Sequence, residues 1–250
     1  MNSSPLVWRD LGKLLWSNLR KNNPEDSDML VSDEHAVEAN DPFRIEQHLR
    51  ELKRLVASSH NLHVLIVIRR QDTWFASAYS QMSYRYNGAS QVHFKKWLQH
   101  RIGLEKNFFY SAGVRLRYFS LVQKIQDAIG RDFVTVLPYE LLKSNPSSFI
   151  KQCCNAIGRE VPESLSLSPR NKNSTSSNVW RIKPGRIQLR PTRLFQALTG
   201  RATMPIPNWR RGKEITLTED LSEAVLERYR SENKKLDQDL NLGLKEYGYY

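Results

Sequence analysis

The sequence predicts an α/β fold: a parallel sheet flanked by helices on both of its faces. Three observations carry that prediction. The run Val64–Ile68, VLIVI, is apolar throughout, as a strand covered on both sides must be. Before it stand a short apolar run at Met29–Val31 and a segment with Ile45, Leu49, Leu52 and Val56 at helical spacing, together a strand–helix–strand unit. After it, another helical pattern leads into a further apolar run, Phe133–Leu137.

The elements follow in order. An N-terminal helical segment, 1–28, contains SSPLVWRDLGKLLWSNLRK, with Ser4 as N-cap, Pro5 at N1 and Leu11, Leu15 and Leu19 on one face. Its Arg9, Lys13, Arg20 and Lys21 would suit a membrane surface, but packing on its own domain is the simpler reading. Met29–Val31 reads as a strand, and Asp41 as the cap of a helix with Pro42 at N1 that runs through Val56. The strand Leu62–Ile68 ends on Arg69 and Arg70. A helix then begins, with Asp72 expected to cap it and Phe75, Tyr79 and Met82 along one face. KKWLQH is helical, and Leu116, Phe119, Val122, Ile125 and Ile129 mark a helix closed by Gly130. The strand Phe133–Leu137 is followed by a turn at Asn145–Pro146. The helix beyond it holds Phe149, Ile150, Cys153 and Ile157, with one of the two cysteines expected to fill core volume. Residues 164–177 read as a loop. A basic region, 168–215, is broken by Pro184, Pro191, Pro205 and Pro207 and is expected to be irregular. A C-terminal helix is assigned within 216–250, using Leu221, Val225, Tyr229 and Leu236. No linker divides the 250 residues, so a single domain, 1–250, is expected.

Charge narrows the function. The chain carries a formal charge of +12, which calls for an anionic partner. The excess is regional: 168–215 holds 11 Lys and Arg against the single acid Glu214, whereas 216–250 holds 5 bases and 8 acids. Aromatic residues interleave with the bases (Trp180, Phe195, Trp209), but no helix-turn-helix, zinc-finger or RNA-binding signature accompanies them, so nucleic acid is not the expected partner. The adjacent Cys153 and Cys154 form no disulfide framework, and the scattered histidines offer no metal site. No apolar run approaches the ~20 residues that would span a bilayer, and no signal peptide opens the chain, so a cytoplasmic location is expected.

Two arginines at the end of a greasy strand need a chemical reason. In parallel α/β sheets ligands bind beyond the carboxyl ends of the strands, and Arg69 or Arg70 would stand at that edge. The next helix offers unpaired N–H groups and the positive end of its dipole. Ser77 follows Arg69 by eight residues. A guanidinium can grip two phosphate oxygens while a hydroxyl donates to a third. The bland alternative, in which the arginines meet solvent or the local acid Asp72, weighs about the same on these grounds.

Here the segment LIVIRRQDTWFASAYSQ resembles the 3′-phosphate-binding segment of sulfotransferases that use 3′-phosphoadenosine 5′-phosphosulfate (PAPS), and its RRQ…S.Y.Q form resembles bacterial carbohydrate-type members. VTVLPYELLKSNPSSFIKQCCNAIGRE looks like the family's next strand, turn and helix. PRNKNSTSS resembles the loop that follows, ERYRSENKKLDQDLNLGLKEYGY the terminal helix, and LVSDEH an early strand end. The likeness runs from about Leu30 to Tyr250. It implies a P-loop-NTPase-like parallel sheet, with PAPS as nucleotide co-substrate, no metal, and a carbohydrate-like acceptor. It also implies that Arg69 and Ser77 hold the 3′-phosphate and that Tyr139 approaches the adenine. Lys183 and Arg186 could close over the nucleotide from the basic region, or equally stand solvated or face a glycan. Glu34, at the end of the first expected strand, is the candidate base, against the blander alternative of a helix-capping or solvated acid at Asp33–Glu34.

One family signature is missing from the sequence. The 5′-phosphosulfate loop, a Lys-x-Gly-Thr-Thr-like turn after the first strand, has no counterpart. The Gly-Lys pairs at Gly12–Lys13 and Gly212–Lys213 lack a glycine-rich approach, and no Walker-type loop occurs. The sheet is therefore expected to lack its first strand. Three explanations follow in order: a truncated or mis-started reading frame, inactive as it stands; a non-catalytic binder of adenosine 3′,5′-bisphosphate or a sulfated glycan; another group taking over the loop's task.

Overall fold

The structure is a computed structural model, and it describes residues 45–57, 60–86, 88–103, 116–161, 178–182, 188–189, 204–205 and 214–250. The expected N-terminal helical segment 1–28 and the Met29–Val31 strand lie outside these residues. What is described is mixed α/β: a small parallel sheet of two strands set among helices.

Strand β1 (Val64–Ile68) pairs in parallel with β2 (Val134–Pro138), in register from Val64↔Val134 to Ile68↔Pro138. Between them run α1's successor helices. Helix α1 itself is Ile45–Val56; α2 is Gln71–Met82, α3 Gln91–Gly103 and α4 Tyr118–Ile129. Helix α4 buries two stripes. Leu121, Ile125 and Ile129, each four residues apart, pack on Ile45 of α1 and on Val64 and Val134 of the sheet. Tyr118 and Val122 face the main core with Phe75, Ala76 and Tyr79 of α2 and Phe94 and Leu98 of α3. Gly130 ends α4 at φ 98°, a conformation that favours glycine. Alternation along the strands puts Leu65, Val67 and Leu137 on the opposite face. Leu137 is buried there and Val67 is 48% exposed, so among the described residues that face is covered at Leu137 and open at Val67.

After β2 come α5 (Tyr139–Ser144) and α6 (Pro146–Ala156). Phe149 is the buried residue of α6, and both Cys153 and Cys154 are half-buried free thiols. The expectation of a cysteine in the core therefore fails: α6 lies against α5 and the edge of β2, and that shallow seat is filled by one phenyl ring.

The described parts of the basic region include short strands. β3 (Val179–Arg181) pairs antiparallel with β6 (Glu214–Thr216), and β4 (Gln188–Leu189) with β5 (Met204–Pro205). Side chains tie the first pair to the helices. Gln91 of α3 exchanges hydrogen bonds of 2.8 and 2.7 Å with the Thr216 backbone, and Ser80 of α2 donates to the Arg181 carbonyl at 2.5 Å.

Helix α7 (Glu219–Leu240) closes the fold with Leu221, Val225, Tyr229 and Leu236 buried. The helix expected within 216–250 thus stops before the chain does. Asn241 takes the left-handed conformation (φ 51°, ψ 52°), one that asparagine tolerates, and the last residues turn back to bury Leu244 and Tyr249. Among the described residues no helix is long and apolar enough to cross a membrane, and no three His, Cys, Asp or Glu side chains gather as a metal site would need.

Candidate functional site

The parallel register decides what meets at the strand exits. One step past Ile68↔Pro138, Arg69 stands beside Tyr139; one step further, Arg70 stands beside Glu140. The Arg69 guanidinium lies 5.3 Å from the centroid of the Tyr139 ring, within cation–π range. Its Nε–H donates to Thr73 Oγ1 at 3.1 Å, and the Thr73 hydroxyl donates in turn to the Arg70 carbonyl at 3.0 Å. The Arg69 carbonyl accepts from the Tyr118 hydroxyl at 2.7 Å. Burial pushes the Tyr118 phenol well above its ordinary pKa, which keeps that donor protonated.

Thr73 and Ser77 are four apart on one face of α2, and Arg69, which precedes the helix, reaches that face through its bond to Thr73. Ser77 is the seventh residue of the helix and half-buried, and its hydroxyl has no hydrogen-bond partner among the described residues. Lys143, four residues beyond Tyr139 on α5, brings a second cation to the same ring at 5.3 Å. Among the described residues no carboxylate pairs with Arg69 or Lys143. A guanidinium has five N–H donors, and Thr73 takes one. The rest leave room for an oxyanion.

Arg70 points to a different task. Its guanidinium bonds the Asp72 carboxylate at 3.1 and 2.5 Å, with Asp72 fully buried. Ser222 of α7 donates to the same carboxylate at 2.6 Å. The Arg70 N–H donates to Glu140 Oε1 at 3.1 Å, and the Tyr249 hydroxyl donates to Glu140 Oε2 at 2.6 Å. This cluster is a clamp between the sheet exits and the C-terminal part of the chain.

Two expectations change here. Asp72 is not the N-cap of α2; Arg70 occupies that position without a side-chain cap, and Asp72 sits inside the first turn, its Oδ1 accepting the Thr73 N–H at 2.7 Å. A buried carboxylate therefore already answers the positive end of the helix. The cation without a carboxylate, Arg69, stands just before the N-cap and is braced onto Thr73.

Of the residues expected to form a site, the structure brings Arg69 and Tyr139 together and sets Ser77 one helical turn beyond Thr73, the residue that Arg69 bonds. Glu34, Lys183 and Arg186 lie outside the described residues. Sequence reasoning missed Thr73 and Lys143. The signal for both was spacing: Thr73 is four residues from both Arg69 and Ser77, and Lys143 is four from Tyr139.

No protein-family model matches the chain, and no curated protein does. Among solved structures the chain is similar to a sulfotransferase from Alicyclobacillus acidocaldarius, with 22% identity and a TM-score of 0.36, over 50% of this chain and 51% of that one. The similarity thus spans about half the length of that bacterial sulfotransferase.

Proposed function

We propose that the chain binds a 3′-phosphorylated adenosine nucleotide, PAPS or adenosine 3′,5′-bisphosphate, with the 3′-phosphate held by Arg69 and Ser77. The observation that carries this reading is a guanidinium with no carboxylate partner among the described residues, braced by Thr73 beside the Tyr139 ring, at the carboxyl end of a parallel strand pair. Arg69 supplies the charge and two or more N–H donors, and Ser77 supplies a hydroxyl one helical turn beyond Thr73. Lys143 adds a compact second charge on the Tyr139 side. Tyr139 is the aromatic group closest to the adenine in this reading, as the sequence resemblance implies. The fuller P-loop-NTPase-like sheet is part of the same proposal.

The reaction proposed for such a site is in-line sulfuryl transfer to a hydroxyl or amine of a carbohydrate-like acceptor. The bond from sulfur to the acceptor atom forms as the bond to the 5′-phosphate oxygen breaks, and the acceptor proton passes to a base, assigned to Glu34. Lys183 and Arg186 are assigned to cover the nucleotide.

Calorimetry with adenosine 3′,5′-bisphosphate tests the binding step. Arg69→Ala is expected to cost about 1.5–3 kcal/mol, the range for a hydrogen bond to a charged group, or roughly ten- to a hundredfold in Kd. Equal affinity for adenosine 5′-monophosphate would remove Arg69 and Ser77 from the 3′-phosphate. Transfer is tested with radiolabelled PAPS and carbohydrate acceptors, where sulfated product formed undiminished by Glu34→Gln would exclude Glu34 as the base.

A further inference from the structure

The turn-back that follows α7 reaches both strand exits. Tyr249, 0% exposed, donates its hydroxyl to Glu140 Oε2 at 2.6 Å, and its carbonyl accepts from Asn233 Nδ2 at 2.9 Å. Asn233 exchanges hydrogen bonds of 2.7 and 3.1 Å with Gln71, the first residue of α2. Gly248, at φ +73°, lies so close to Arg70 that a Cβ there would come within 3.2 Å of its Nη1. The tail therefore touches the residue after Arg69 and the residue after Tyr139.

The β1–β2 ladder ends at Ile68↔Pro138. Just beyond it, beside the Arg69–Tyr139 contact, the Glu140 carboxylate ties the two exits together, because its Oε1 accepts the Arg70 N–H at 3.1 Å. Its other oxygen is occupied by Tyr249, so the carboxylate is held from both sides. Arg69 and Tyr139 precede these two residues by one position each, and their ring-to-guanidinium spacing follows from how the exits are joined.

We propose that Tyr249 is a positioning residue for the anion site: acting through Glu140, it sets the spacing of Arg69 and Tyr139 and so tunes affinity for a 3′-phosphate. This inference rests on reading that site as a nucleotide site. The test is a titration of the full chain carrying Tyr249→Phe, which keeps the ring and removes the hydroxyl. Affinity for adenosine 3′,5′-bisphosphate is expected to fall about tenfold, as for the loss of one hydrogen bond to a charged group, with affinity for adenosine 5′-monophosphate unchanged. In an Arg69→Ala background the same substitution is expected to add nothing, since contacts acting as one unit are not additive. Glu140→Met is expected to match or exceed Tyr249→Phe, because it keeps the side chain's length and removes both acceptor oxygens. That variant carries the test if Tyr249→Phe does not fold.

Wild-type affinity that ignores the 3′-phosphate overturns the nucleotide reading and this proposal with it. Wild-type discrimination that both Tyr249→Phe and Glu140→Met retain in full overturns only the role of Tyr249. So does a loss shared equally by both nucleotides, or one that persists in the Arg69→Ala background, since a merely structural contact would act that way.

Discussion

Arg69 and Arg70 are neighbours of the same type with opposite roles, and the difference lies in where their side chains turn beyond the end of β1. The Arg70 side chain turns toward Asp72 and α7, while that of Arg69 turns toward Thr73 and Tyr139. The sequence shows that a guanidinium stands at the strand end, yet which one is free depends on where α7 and the tail pack, and neither is local to the motif. The two arginines should therefore separate in stability measurements. Arg70→Ala leaves the buried Asp72 carboxylate without its cation and is expected to cost about 3 kcal/mol or more. Arg69→Ala loses a hydrogen bond to one threonine and is expected to cost under about 1 kcal/mol. Urea unfolding of the two variants checks this, and equal losses would contradict the division of labour.

Elements were legible where periodicity was long. The helices α1, α2 and α4 stand where the apolar spacing puts them, and β2 follows a glycine that ends α4. The shorter elements were hidden. The six-residue α5 carries no full apolar stripe, and the strands of two and three residues in the basic region are set by partners far along the chain. The cysteine expectation failed for a related reason: helical spacing shows that a face is apolar but not how deep its seat is. The start of α6 was legible and has a simple energetic test. Asn145 accepts the Ser148 N–H at 3.0 Å, with Pro146 at N1. Asn145→Ala is expected to lower stability by about 1 kcal/mol in the same unfolding assay, the usual cost of losing a cap, with Asn145→Ser close to neutral.

At the scale of the molecule, buried phenols link the strand exits, α4 and α7 into one titrating unit. Tyr118 and Tyr249 both donate at the exits, and both are pushed well above the ordinary phenol value, chiefly by burial and for Tyr249 also by Glu140. Tyr229, on the buried stripe of α7, is raised from 10.0 to about 12, again chiefly by burial. A phenol that holds its proton more tightly in the folded chain stabilises it fully below pH 10. Above that value the unfolded chain releases the proton first, so stability falls as pH rises toward the folded value. For Tyr229 the window is pH 10 to 12, and its share of the loss approaches about 2 kcal/mol at the upper end. Urea midpoints are expected to drop more steeply beyond pH 10 than from pH 8 to 10, while Tyr229→Phe, lacking the ionisable group, loses less over the steep range. A midpoint that holds steady to pH 12 would mean that these hydroxyls are hydrated in the folded chain. The packing of α7 and the tail against the strand exits, on which the positioning role of Tyr249 depends, would then be wrong at its centre.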